Sequence, residues 1–257
     1  LSCRRRQDGT VGGGDGADMS DDTMIAEHIR EVHAQIAAAR ARRTRVSKDA
    51  PVELIAVTKN HPVAAMQEAI DAGIMNIGEN RVQEALDKAE TLDREVKWHL
   101  IGHLQTNKVK HAVRQFDLIH SVDSLRLAHE IDKAAAKFGK VQNILVQINL
   151  AREETKSGID RSELDDILAG IDDMRAIRLQ GFMCIAPNYE DVEECRPLFR
   201  TMYDIFQQVK ARELRTADIR YLSMGMTHDY EIAVEEGANL VRVGTAIFGA
   251  RQYALGV

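Results

Sequence analysis

Glu53-Leu54-Ile55-Ala56-Val57-Thr58-Lys59-Asn60-His61-Pro62 decides the fold. The stretch opens as a short apolar run with β-branched residues, holds no glycine or proline before Lys59, and meets a proline three residues beyond it. Such a run reads as a buried parallel strand, with Pro62 in the first turn of the next helix. Lys59 then sits where the strand gives way to its loop, and in barrels and open α/β sheets chemistry collects at that carboxyl end. A partly buried ammonium in such a place loses hydration, which frees its amine to attack a carbonyl. The plain alternative is a lysine whose stem packs at the strand end while its head reaches water.

Outward from this strand, extended apolar runs and helical periodicities alternate. Strands are expected at 75–78, 96–101, 118–122, 141–150, 177–183, 219–223 and 240–243. Helices are expected at 62–72 (closed by Gly73), 81–89, 108–115, from Ser124 to 138, 162–171, 191–213 and 230–236 (ended by Gly237), with a helical turn at 245–249. A long helix precedes the first strand. Ser20, Asp21 and Asp22 offer its caps, Ile25, Ile29, Val32 and Ile36 share one face, and residues 40–45 read as a solvated basic end near 45 that suits the helix dipole. About eight strands, each followed by a helix, imply an α/β chain with a parallel sheet closed into a single (β/α)8 TIM barrel, carrying an extra N-terminal helix. A doubly wound open sheet is the alternative. It would want a glycine-rich fingerprint, and neither GxGxxG nor GxxxxGK[ST] occurs. The expected domain spans 23–257, with no second, β-rich domain after Gly249. Residues 1–22 carry Arg4-Arg5-Arg6, Gly12-Gly13-Gly14 and almost nothing apolar, so they read as a disordered tail or an upstream extension before Met19.

Composition narrows the class. With 44% apolar and 29% charged residues and a net charge of −6, the chain has no general attraction to nucleic acid or to an anionic membrane. No apolar run approaches the roughly 20 residues of a membrane span. Cys3, Cys184 and Cys195 form no CxxC pair and no metal spacing, which points to a reducing, cytoplasmic setting.

The strand ends carry the polar residues. Ser223-Met224-Gly225-Met226-Thr227 puts hydroxyls and flexible backbone N–H groups just ahead of a helix, and Gly244-Thr245 does the same after the last strand. Loops after strands seven and eight are where barrels commonly bind phosphate; helix caps that bind nothing are the bland reading. Arg242 interrupts an apolar strand and needs an acceptor, either a structural ion pair or a ring nitrogen or acid group of a ligand. His99 and His103 could share a strand face, but no third ligand stands at metal spacing, and no metal is expected. A phosphate cradle with a strand-end lysine implies a phosphorylated aldehyde bound as a Schiff base, of which pyridoxal phosphate (PLP) is the common one.

Several motifs together are specific. Leu54-Ile55-Ala56-Val57-Thr58-Lys59, Gly78-Glu79-Asn80-Arg81-Val82-Gln83-Glu84, Trp98-His99-Leu100-Ile101-Gly102-His103-Leu104-Gln105-Thr106-Asn107-Lys108, Ser223-Met224-Gly225-Met226-Thr227-His228-Asp229 and Val241-Arg242-Val243-Gly244-Thr245-Ala246-Ile247-Phe248-Gly249 closely resemble the pyridoxal phosphate homeostasis proteins, in order, over roughly residues 25–251. The resemblance implies the barrel of fold-type-III enzymes such as alanine racemase, without their second domain. It implies that Lys59 forms a Schiff base with PLP, that Ser223, Met224, Gly225, Met226, Thr227, Gly244 and Thr245 hold the phosphate, that Arg242 faces the pyridine nitrogen, that Asn80 lies near the ring, and that Lys156 stands near the site mouth. Arg81 replaces the family's usual tyrosine, Thr227 replaces a serine, and His103 stands where the family varies.

An arginine at the ring nitrogen keeps that nitrogen unprotonated and the ring a weak electron sink. The resemblance therefore implies intracellular PLP homeostasis and carriage with little or no turnover, no catalytic residue being assigned. PLP-requiring apoenzymes are the expected recipients, and the chain is expected as a monomer or weak homodimer. A PLP-dependent racemase-like enzyme is the alternative, and a barrel that binds a phosphorylated metabolite without a Schiff base is a third reading.

Overall fold

Helices and strands alternate along the computed structural model, which describes residues 23–151 and 157–249. The expectations for residues 1–22 and for Lys156 fall outside these residues. After α1 (Met24–Ala41) come β1 (Glu53–Val57), α2 (Val63–Asp71), β2 (Asn76–Glu79), α3 (Val82–Ala89), β3 (Lys97–Leu100), α4 (Val109–Gln115), β4 (Leu118–Val122), α5 (Leu125–Lys137) and β5 (Gln142–Gln147). There follow α6 (Leu164–Asp172), β6 (Ile177–Met183), α7 (Arg196–Lys210), β7 (Ala217–Met226), α8 (Tyr230–Glu235), β8 (Leu240–Val243) and α9 (Thr245–Phe248). Each strand pairs in parallel with the next, and β8 pairs in parallel with β1, so the sheet is a closed eight-stranded barrel rather than an open one.

Because side chains alternate across a strand, each strand buries two faces. Inward residues form a small cluster of Ile55, Leu118, Leu145, Met183 and Leu240. Outward residues join the apolar faces of the helices in a much larger cluster, with Phe199, Met202, Ile205 and Val209 of α7 all buried. Burying each such side chain stabilises the fold by roughly 1.5–3 kcal/mol.

Three local expectations need correction. Pro62 is the residue before α2 rather than part of its first turn. Helix α1 stops at Ala41, and the basic segment after it is not simply solvated: Arg43 is 2% exposed and donates to the carbonyls of Ser47, Ala50, Val234 and Ala238. Strand β7 continues to Met226, because its pairing with β8 shifts register between Ser223 and Met226. That irregularity carries the strand into the segment expected as a loop.

Candidate functional site

The turn after β1 is built from the outside of the barrel. Thr58 extends the ladder, giving its N–H to Gly78 O at 3.1 Å, and sends its hydroxyl outward to Glu79 Oε1 at 2.5 Å. The next residue, Lys59, therefore falls on the mouth side of the alternation, where it is half-buried. Lys88 of α3 reaches under this turn. Its Nζ donates to Thr58 O, Glu79 Oε1 and Glu84 Oε1, each at 2.7 Å. Glu84 Oε1 also accepts the Asn60 N–H at 2.5 Å. Asn60 adopts φ 62°, a left-handed conformation that asparagine tolerates better than most residues. Both neighbours of Lys59 are thus pinned by one ionic cluster. Glu79 is fully buried; burial pushes its carboxyl above the ordinary value, against the opposing pull of Lys88 and Thr58.

On the neighbouring strand β8, in register with Ile55 of β1, Arg242 is 3% exposed. Its Nη1 donates to Ser223 Oγ at 2.6 Å and its Nη2 to Cys184 O at 2.9 Å. Among the described residues no carboxylate forms an ion pair with it. Of the two acceptors the sequence suggested, the structural ion pair is absent from these residues, and neutral groups stand in its place. Burial lowers the Arg242 pKa, yet a guanidinium stays charged. Burial also pushes the Cys184 thiol up to about 12, so it is an inert core group.

The rim beside Lys59 joins the ends of β7 and β8, where a Cβ on Gly244 would lie 3.3 Å from Val57. Gly225 has φ +95°, and a Cβ there would lie 2.7 Å from Ala233 Cβ and 2.8 Å from Tyr230 Cα, so only glycine lets the strand end press onto α8. Asp229 folds the segment back, accepting the Met226 N–H on Oδ1 at 2.7 Å, and burial raises its carboxyl. Gly244 donates its N–H to Thr227 Oγ1 at 3.2 Å, which ties the two loops together. The N–H groups of Thr245 and Ala246 open α9, where they have no intrahelical acceptor.

The expected site residues thus fall into two tiers. Lys59, Asn80, Met226, Thr227, Gly244 and Thr245 are at least partly exposed at strand ends, while Ser223 and Arg242 are buried beneath them. Met224 is a fully buried side chain, leaving only its backbone for a ligand. Asn80 is crowded by its neighbour strand: a Cβ on Gly102 would lie 2.3 Å from Asn80 O. Arg81 stands exposed ahead of α3. His99 and His103 part company, His99 inside the barrel and His103 exposed near Asp123, 3.4 Å away.

Residues 33–252 match the family model for the alanine racemase N-terminal domain. The chain is 42% identical over 202 residues to the pyridoxal phosphate homeostasis protein of Aquifex aeolicus (strain VF5), covering 78% of this chain and 88% of that one. It is 39% identical over 236 residues to the protein of the same name from Escherichia coli (strain K12), covering 90% and 98%. The chain belongs to the pyridoxal phosphate homeostasis proteins. Its barrel also superposes on the PLP-bound structure of PipY from Synechococcus elongatus PCC7942, with a TM-score of 0.75, 39% identity, and 88% and 100% of the two chains covered.

Within this family member the sequence reading missed the groups behind the site. Lys88, four residues after Glu84, carries the helical ion-pair spacing, and that signal was available. His120 and Asn76 carry none, because their partners come from other strands.

Proposed function

We propose that the protein holds PLP at the barrel mouth, joined to Lys59 as a Schiff base, and serves intracellular PLP homeostasis and carriage with little or no turnover. The observation that carries this reading is Arg242, a buried cation that among the described residues is hydrogen-bonded by a hydroxyl and a peptide carbonyl, lying beneath a strand-end lysine and a stitched rim of N–H and hydroxyl donors. The donor set fits the cofactor. Arg242 keeps N–H groups for a ring-nitrogen lone pair. The Thr227 hydroxyl accepts from Gly244 and still has its own proton to give to a phosphate oxygen, as do Thr245 and the N–H groups at the head of α9. Asn80 flanks the ring, and the backbone from 223 to 226 frames the phosphate.

PLP, when bound, supplies a conjugated ring able to withdraw electrons from an attached amine. Arg242 limits that chemistry, since a fixed cation facing the ring nitrogen opposes its protonation. Residues 23–257 are the proposed binding unit, with residues 1–22 outside it. PLP-requiring apoenzymes are the proposed recipients, the cytoplasm the proposed setting, and a monomer or weak homodimer the proposed state. No helix among the described residues is long and apolar enough to cross a membrane.

The test is the visible spectrum. Wild-type protein loaded with PLP should show an imine band, and borohydride should fix the cofactor's mass on Lys59. A Lys59→Ala variant with the same band would overturn the reading, and polarimetry showing steady amino-acid racemisation at roughly 1 s⁻¹ or faster would replace it with the enzyme.

A further inference from the structure

Hydrogen bonds run from Arg242 into the barrel through side chains of five further strands. Arg242 Nη1 on β8 meets Ser223 Oγ on β7 at 2.6 Å, and the same Oγ meets His120 Nδ1 on β4 at 2.9 Å. His120 Nε2 meets His99 Nδ1 on β3 at 2.9 Å, His99 Nε2 meets Asn76 Oδ1 on β2 at 3.1 Å, and Asn76 Nδ2 meets Glu53 Oε2 on β1 at 3.4 Å. All but Glu53 are buried.

The two ends fix the direction of every bond between them. The Glu53 oxygen is an acceptor, so Asn76 turns its amide nitrogen to it and its Oδ1 to His99. Oδ1 only accepts, so His99 carries a proton on Nε2. A neutral ring then has a lone pair on Nδ1, which must accept from His120 Nε2–H. His120 Nδ1 is left as an acceptor, so the Ser223 hydroxyl donates to it and keeps its own lone pairs for Arg242. Neutral rings are what this interior allows: burial holds the His99 pKa down to about 3, and burial with the charge of Arg242 nearby holds His120 well below its ordinary value.

We infer that Ser223, His120, His99 and Asn76 form a one-way hydrogen-bond chain that positions Arg242, satisfying one edge of its guanidinium with neutral groups and leaving its other donors for the ring nitrogen of the bound cofactor. This rests on the PLP reading above. The hydrogen-bonded series meets a carboxylate only at Glu53, beyond four intervening side chains, while Asp229 acts on Arg242 through space without bonding it. An acidic residue in place of Ser223 would close an ion pair inside the wall and take the cation away from the ligand. His120, His99 and Asn76 are therefore positioning residues, acting through Arg242.

Two measurements test this. Long-range proton–nitrogen correlation spectra of the cofactor-free wild type should show both His99 and His120 as neutral Nε2–H tautomers from pH 5 to 8. An Nδ1–H tautomer or a protonated ring at His120 overturns the chain. PLP titration of His120→Phe, and of Asn76→Leu as the milder variant, should show a Kd raised up to about tenfold and a displaced imine band, with Lys59 still labelled by borohydride. A folded variant with unchanged Kd and band overturns the link to the cofactor. If the wild type forms no Lys59-dependent band while both tautomers are as assigned, the PLP reading fails and the internal chain stands.

Discussion

Lys88 lies outside the barrel wall, 2.7 Å from each of two carboxylates, Glu79 and Glu84. Arg242 lies inside it against a hydroxyl and a peptide carbonyl. Both side chains are buried cations close to the mouth, yet the first touches two carboxylates while the second, among the described residues, touches none and feels Asp229 only at a distance. A buried charge without a contacting counter-charge is costly, and a fold keeps one where a ligand completes it. The balanced cation holds the backbone on either side of Lys59. The unbalanced one marks where a ligand's lone pair belongs.

Breaking this contrast begins with the largest effect. Lys59→Ala should abolish the imine band entirely while leaving both cation sites intact, as judged by an unchanged denaturation midpoint. Next, Lys88→Met should cost about 3–5 kcal/mol of stability in urea titrations, because it strands the fully buried Glu79. Arg242→Leu should cost less, about 1–3 kcal/mol, since Ser223 Oγ keeps His120 as a partner and only neutral acceptors are left behind; its main effect should be weakened PLP binding. Equal losses of stability in the two variants would remove the distinction drawn between them.

The two sides should also respond to pH with opposite slopes. Folding favours the protonated form of Glu79, whose value is raised from 4.5 by burial, so its contribution is full below that value and lost as pH rises through the elevated one. The stability gap between wild type and Glu79→Gln should therefore narrow as pH rises. His99 is the reverse. Its pKa falls from 6.5 to about 3 on folding, so its contribution is present above 6.5 and lost as pH drops toward 3. A His99→Gln variant should lack that part of the acid sensitivity in pH-resolved unfolding curves. The smallest effect belongs to an exposed version of the Lys88 arrangement: Arg42, with its side chain 48% exposed, bonds Glu231 and Glu235 at 2.9 and 2.6 Å. Arg42→Ala should cost only about 0.2–1 kcal/mol, and less at high salt.

The barrel was legible because strand and helix periods differ so sharply in this chain. The runs at 118–122, 177–183 and 240–243 match β4, β6 and β8 to the residue, each carrying apolar residues on both faces. The end of β7 was not, since Gly225 reads as a loop residue and its extension depends on a register shift against β8. Lys59, Arg242 and the rim were visible as polar residues at strand ends. What supports them was hidden. His99 was weighed against His103, four residues on, whereas its partner His120 sits on the next strand, brought alongside by the pairing of Leu100 with Ile119. Arg43 sat in a basic run that looked like a solvated helix end, and its four acceptors come from two segments, at 47–50 and 234–238, nearly two hundred residues apart in sequence.

Arg43 has a wider consequence. A ring of strands has a seam where the last is laid against the first, here β8 against β1. Helix α1 is fastened beside that seam near both of its ends, by Arg43, just past it, to the carbonyls of Val234 in α8 and Ala238 beyond it, and by His28, whose Nδ1 lies 2.9 Å from Ile247 O of α9. The leading helix therefore lies over the closure of the ring, and its bond to Ile247 O reaches the short helix that begins at Thr245.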